Sequence, residues 1–256
     1  MTEPIWQLSQ SHLNLLSTCP RKFQYIYLEQ FSSPCTVQQQ SNLSLGNRFH
    51  RFMQQRELNL PTEQILAEDD PLKNSFNAIA QAAPEIVYPQ PKTWRYPEHR
   101  LTLLKGQFLL TGIYDLLIVS ENDAKIIDWK TYPQPPNDEQ LAKNWQTRLY
   151  LYLLAETSHY LPEQIQLIYW FINVPKKTSS LTFQYDQEQH QQTENDLNQL
   201  LNQLSDYWQR YQESGESFPQ VAESQGYCLD CPFTIPCERY LKNDHVLFSD
   251  IEEVKI

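Results

Sequence analysis

Two apolar, strand-forming runs, QFLLTGIYDLLIV and AKIIDWKTY, flank the turn residues SEND and define a β-hairpin from Gln107 to Tyr132. A hairpin tolerates few registers, because a slip of one residue turns every side chain to the other face. A turn centred between Glu121 and Asn122 sets Asp115 directly opposite Asp128. Opposed side chains have Cβ atoms about 5 Å apart, and like charges there repel. Alternation puts Lys130 on the face of Asp128, with Leu117, Val119 and Ile126 as apolar neighbours. Two carboxylates and an ammonium at the rim of a core need a compensating charge. A divalent cation supplies it, and hard oxygen ligands suit Mg²⁺ or Mn²⁺. Lys130 would then orient or activate a water, or stabilise charge developing on a phosphate. The plainer reading is a set of solvated or salt-bridged side chains on an exposed strand face.

The rest of the chain builds around this hairpin. LSQSHLNLLSTCPRKFQYIYLEQF is helical with a break at Cys19-Pro20, LSLGNRFHRFMQQREL starts a further helix, and helical patches punctuated by PTEQ, DDPL and AAPE follow. TWRYPEHRLTLL precedes the hairpin as another strand. NWQTRLYLYLLAET reads as a buried helix, QIQLIYWFINV as a central strand, SLTFQYDQ as an edge strand and residues 188–214 as a long amphipathic helix. The expected fold is α/β, a mixed central sheet flanked by helices. We expect one domain over 1–256, with a helical insertion at 51–93, the sheet core at 94–186 and a cysteine cluster at 226–240 joined to Cys19.

Length, charge and composition exclude several classes. A chain of 256 residues with 40% hydrophobic residues can bury a sizeable core. Five glycines, and no phosphate-cradling glycine motif, leave no sign of nucleotide binding. The net charge of −11 argues against a broad basic surface for nucleic acid, though bound metal ions can invert the charge of a local groove. No apolar run approaches the roughly 20 residues of a membrane span, so a cytoplasmic location is expected, with no membrane partner. Cysteines there are ligands or free thiols rather than disulfides.

Several residues extend the carboxylate pair. His50, close after Gly46, is a plausible additional metal ligand. Gln146 and Tyr150, four apart on one helix face, suit hydrogen bonds to a phosphate or base. Glu98 either joins the acidic cluster or caps its strand. Cys228, Cys231 and Cys237, with the remote Cys19, form a set of four thiols that suits an iron-sulfur cluster or a structural zinc. Three closely spaced cysteines plus one distant one match a cubane better than zinc, and Cys35 is left over as a non-ligand.

In order along the chain, CPRKFQY, GNRFH, GIYD, IIDWKT, QTRLY and CLDCPFTIPC resemble the motifs of the PD-(D/E)XK nuclease superfamily. The resemblance is to its RecB-like branch with an iron-sulfur cysteine cluster, similar to CRISPR-associated exonucleases and the AddB nuclease domain. It implies a restriction-endonuclease-like sheet and a divalent-metal-dependent nuclease, an enzyme in which His50, Asp115, Asp128 and the Trp129 carbonyl bind Mg²⁺ or Mn²⁺. It implies that Lys130 is catalytic beside Asp115 and Asp128, and that Gln146 and Tyr150 contact DNA. Cys19, Cys228, Cys231 and Cys237 would hold a [4Fe-4S] cluster that clasps the two chain ends, with zinc as the lesser alternative. The implied substrate is DNA, single-stranded or with free ends, cut by an exonuclease in repair, recombination or defence. No helicase motif is present, so a helicase or other DNA-processing partner is expected to be a separate chain. The competing expectation is a non-catalytic DNA-binding or assembly subunit that retains the fold. On this reading Lys130 matters to chemistry and not to folding.

Overall fold

Six strands and the helices around them account for most of the chain in the computed structural model, which describes residues 6–31, 37–130, 137–172 and 179–239, with backbone alone for 37–44. Cys35, the prolines after Thr131 and the acidic C-terminal end lie outside the described residues. The chain forms two compact units, Met1–Asn14 with Pro34–Ser205, and Leu15–Ser33 with Asp206–Ile256.

In chain order the elements are β1 (Trp6–Leu8), α1 (Gln10–Thr18), α2 (Pro20–Phe23), a π-helical turn (Gln24–Leu28), α3 (Val37–Glu57), α4 (Glu63–Glu68), α5 (Asp70–Ala82) and α6 (Pro84–Val87). There follow β2 (Trp94–Lys105), β3 (Phe108–Val119), β4 (Ala124–Lys130), α7 (Asp138–Lys143), α8 (Trp145–Thr157), β5 (Ile165–Phe171), β6 (Ser179–Gln184) and α9 (Gln187–Ser214). Pro20 explains the break after α1, because proline is pre-formed for a first helical turn and cannot continue a preceding helix. β1, α7 and the π-helical turn were not anticipated; each is too short to leave a periodic signal.

The sheet of the larger unit runs β1-β3-β4-β5-β6, with β2 on the other side of β3. It is mixed: β2–β3, β3–β4 and β5–β6 are antiparallel, whereas β1–β3 and β4–β5 are parallel. The parallel pair β4–β5 needs a crossover, which α7 and α8 supply. β4 is covered on both faces, so its residues are buried almost without interruption. On one face Leu116, Ile118, Ile127 and Trp129 pack with Phe49, Phe52 and Met53 of α3 and with Leu72 and Ile79 of α5. On the other, Leu117, Ile126 and Tyr169 pack with Leu141 of α7 and Tyr150, Leu151 and Leu154 of α8.

Two contacts set the flanking helices. Arg95 on β2 forms a two-pronged pair with Glu57 at the end of α3, both bonds 2.7 Å, and donates to the Ile86 carbonyl at 2.7 Å. On the opposite face Gly112 lets α8 approach β3 closely: a Cβ there would lie 3.0 Å from Leu153 Cδ1 and 3.2 Å from Tyr150 Cδ1. Tyr114 fastens the same junction, its hydroxyl donating to the Tyr150 carbonyl at 2.7 Å.

In the smaller unit, Phe218 N donates to buried Gln24 Oε1 at 2.6 Å, Arg21 Nε donates to the Phe218 carbonyl at 2.6 Å, and Tyr25 Oη donates to the Pro236 carbonyl at 2.9 Å. The four cysteines Cys19, Cys228, Cys231 and Cys237 all belong to it, and none of them is in a disulfide.

Candidate active site

The hairpin keeps the expected register: Leu116–Ile127, Leu117–Ile126, Ile118–Lys125 and Val119–Ala124 pair in sequence. The ladder stops one pair before Asp115 and Asp128, and the Asp115 carboxylate instead accepts the Trp129 amide hydrogen at 2.7 Å. On the other side, β2 pairs with every β3 residue except Asp115, since the ladder passes from Pro97–Leu116 to His99–Tyr114. Glu98, the residue skipped on β2, holds a φ of 48°. A left-handed glutamate within a strand costs of order 1–3 kcal/mol and persists only where its surroundings fix it. The irregularity rotates β3, so that Leu116 joins the α3-side core while Tyr114, two residues away, joins the α8-side core.

Three side chains converge on this break. His50 Nδ1 lies 3.1 Å from Asp115 Oδ1, and His50 Nε2 lies 3.0 Å from the Trp129 carbonyl. Donor atoms of His50, Glu98 and Asp115 all lie within 4.8 Å of one another, the one such metal-sized group among the described residues. Both imidazole partners can accept a hydrogen bond, and which ring nitrogen donates depends on the tautomer. Burial alone would lower the His50 pKa, but the bond and charge of Asp115, with Asp128 and Glu98 behind, outweigh it and raise the pKa. Burial and the charge of Asp115 raise the pKa of Glu98, against the opposing effect of His50. Of the two expectations for Glu98, joining the acidic cluster or capping its strand, the structure places it in the cluster, and the β2–β3 register sets it against Asp115.

Asp128 and Lys130 share the α8 side of β4, as alternation requires. Lys130 Nζ stands 2.5 Å from Asp128 Oδ1 and 4.8 Å from the centre of the Tyr169 ring. Both are buried, Asp128 at 3% and Lys130 at 8% exposure. Desolvation first, then the charge of Asp115, pushes the Asp128 pKa up to about 6, while Lys130 and His50 pull against that rise. Burying such a pair adds little net stability even when it is well made. Asp128 Oδ2 accepts from Gln146 Nε2 at 2.6 Å, and Oδ1 faces the Lys130 ammonium. A buried carboxylate next to the carboxylates of Glu98 and Asp115, the His50 imidazole and a backbone carbonyl is the donor chemistry of a Mg²⁺ or Mn²⁺ site.

Of the expected DNA contacts, Gln146 lies at the site, its Oε1 accepting from Lys130 Nζ at 2.7 Å. Tyr150, four residues on, is 3% exposed within the α8-side core, and burial with the nearby Asp128 charge raises its pKa. In the smaller unit, Arg239 donates to Cys228 Sγ at 2.9 Å, and Cys19 and Cys231 both lie near enough to raise the pKa of Cys237, behind the larger effect of burial. No described helix is long and apolar enough to cross a membrane.

Comparison with known proteins bears on the fold. Over nearly its whole length the chain adopts the fold of a candidate exonuclease from Eubacterium rectale, with 9% identity, 97% of this chain and 94% of that one covered, and a TM-score of 0.54. A looser likeness, at 13% identity, 94% and 90% coverage and a TM-score of 0.43, exists to the structure of SSO0001. No curated protein matches the sequence significantly. The model of the PD-(D/E)XK nuclease superfamily matches residues 7–238, and the mixed sheet carrying Asp115, Asp128 and Lys130 has that family's architecture. The chain belongs to the PD-(D/E)XK nuclease superfamily.

Proposed function

We propose that this chain is a divalent-metal-dependent DNA exonuclease of the RecB-like branch, acting on single-stranded or end-exposed DNA. The observation that carries the reading is the convergence of His50, Glu98 and Asp115 beside the buried Asp128 carboxylate and its Lys130 partner. His50, Asp115, Asp128 and the Trp129 carbonyl are the residues to hold the metal, with Glu98 as a further donor. Bound there, a divalent cation supplies positive charge against phosphate oxygens and makes water a better nucleophile at neutral pH. Lys130, pinned between Asp128 and Gln146, holds its ammonium where it can orient the attacking water or meet charge developing on the phosphate. Burial and the Asp115 charge raise the Asp128 pKa to about 6, and positive charge beside it favours the ionised form. Gln146 and Tyr150 border the same site, and a role in holding DNA would require their inward-turned side chains to reorient.

The test is cleavage of end-labelled single- and double-stranded DNA with Mg²⁺ or Mn²⁺ by wild type, Asp115→Ala and Lys130→Ala. Metal-dependent cleavage lost in both variants is expected. Binding without cleavage under either metal would point instead to a non-catalytic subunit.

Cys19, Cys228, Cys231 and Cys237 form the second part of the proposal, a [4Fe-4S] cluster in the smaller unit. Four thiols in one unit support it, as does a guanidinium directed at one sulfur. Iron and sulfide at cubane stoichiometry after anaerobic purification are expected, and one zinc with no iron would replace the assignment. A cytoplasmic setting, a role in repair, recombination or defence, and a helicase supplied by another chain complete the proposal.

A further inference from the structure

Both ends of the Gln146 amide are committed inside the protein, Oε1 to Lys130 Nζ at 2.7 Å and Nε2 to Asp128 Oδ2 at 2.6 Å. A primary amide can serve an ammonium with one end and a carboxylate with the other without adding charge to a buried site. Gln146 is itself held. Asn144, the residue before α8, accepts from Gln146 N through Oδ1 at 2.8 Å, and the same oxygen accepts from Asn14 Nδ2 at 2.9 Å. Asn14 Oδ1 in turn accepts from Trp145 N at 2.9 Å. Two of the first amide donors of α8, which no helical carbonyl can reach, are thus satisfied by side chains. One of those side chains comes from α1, 130 residues earlier in the chain. Each amide orientation is fixed by its neighbours, since Trp145 N, Gln146 N and Lys130 require acceptors and Asp128 requires a donor.

We infer that Asn14, Asn144 and Gln146 form a positioning relay that sets the direction of Lys130 and the rotamer of Asp128. The inference rests on reading Lys130 and Asp128 as the reacting groups. Lysine is a point charge on a flexible stem, and the Tyr169 ring at 4.8 Å restrains it from one side. Gln146 joins it to the carboxylate two residues back, and Asn14 and Asn144 fix the helix start that carries Gln146. Displacing a reacting group by about 1 Å can slow turnover on the order of 100-fold without weakening substrate binding. The relay therefore acts on kcat rather than on DNA affinity.

The experiment compares wild type with Gln146→Met, which keeps length but loses both bonds, and with Asn14→Leu and Asn14→Asp. It measures kcat with Mg²⁺, DNA affinity with Ca²⁺ in its place, and the rate of Lys130 acetylation by acetic anhydride followed by mass spectrometry. For Gln146→Met, kcat should fall roughly 10- to 100-fold, with DNA affinity within about twofold and Lys130 acetylated several-fold faster. Asn14→Leu should show the same pattern more weakly. Asn14→Asp, which can still accept from Trp145 but cannot donate to Asn144, should recover part of the loss. DNA affinity weakened about tenfold, with kcat and Lys130 labelling unchanged, would overturn the relay and make Gln146 a DNA contact. Absence of any cleavage by wild type would overturn the nuclease reading alone, because Lys130 labelling needs no turnover and still decides the relay.

Discussion

Gly112 leads the motif that ends in Asp115, and replacing it with alanine measures how tightly α8 is seated on β3. The new Cβ would meet Leu153 Cδ1 at 3.0 Å and Tyr150 Cδ1 and Cε1 at 3.2 and 3.3 Å. Ordinary carbon contacts lie at about 3.5–4.0 Å, so each atom must retreat by a few tenths of an ångström, Leu153 Cδ1 the most. Leu153 is 0% and Tyr150 3% exposed, so neither has open space to enter. Overpacking of this kind costs about 1–3 kcal/mol, against about 0.4–1 kcal/mol gained by restricting the unfolded chain. The net loss is about 1–2 kcal/mol, or roughly 2–8 °C in Tm for a protein of this size. Thermal and urea unfolding of Gly112→Ala and Leu153→Val, singly and together, are the assay. Trimming Leu153 removes the nearest atom, so the double variant should recover stability relative to the sum of the single ones, with a coupling of at least about 0.5 kcal/mol. Cleavage should fall further than the Tm shift alone explains, because α8 carries Gln146. A Gly112→Ala protein that melts at or above the wild-type temperature with full activity would refute the argument.

Three further outcomes follow. Asp128, raised from 3.8 to about 6, contributes stability to the metal-free fold below pH 4 that is lost as pH rises through 6; at about 1.36 kcal/mol per pH unit this is about 3 kcal/mol. His50, also raised, shifts stability in the same direction above its ordinary value of 6.5, so the Tm gain on adding Mn²⁺ should be larger at pH 8 than at pH 5, and an equal gain would contradict the site. Glu57→Ala leaves Arg95 buried without its carboxylate, the two side chains being 6% and 9% exposed, and should cost about 3–5 kcal/mol by denaturant titration while weakening Mn²⁺ binding through α3. Lys130→Met should reduce cleavage at least about 100-fold and also lower stability measurably, because it removes the positive charge beside Asp128; unchanged unfolding would show that the pair carries no folding energy.

The sequence was legible where its patterns were periodic. The strand pair around SEND, the buried α8 and the stripe of Leu197, Leu200, Leu201 and Leu204 on α9 all follow from alternation or helical spacing. The turn centre sufficed to give the β3–β4 register, and with it the shared face of Asp128 and Lys130. What was not legible depends on departures from regularity. Alternation predicts an Asp115–Asp128 pair, but a strand that rotates at Asp115 gives that aspartate to His50 and the Trp129 amide. Lys130 looked like a rim residue, and its burial shows only once β5 and α8 cover β4, which also ties it to stability. Asn14 carries no signal at all, since its partners Asn144 and Trp145 are remote in sequence.

The missing ladder partner of Asp115 moves a structural bond from main chain to side chain. Neither β2 nor β4 pairs with this residue, and its carboxylate takes the Trp129 amide hydrogen of β4 instead. Removing that carboxylate would leave a buried amide without its acceptor as well as strip a donor from the site. Asp128 divides the same tasks differently: its main chain pairs with Tyr169 in the β4–β5 ladder, and its side chain faces Lys130 and Gln146. Each carboxylate of the site is therefore also part of the framework that holds it.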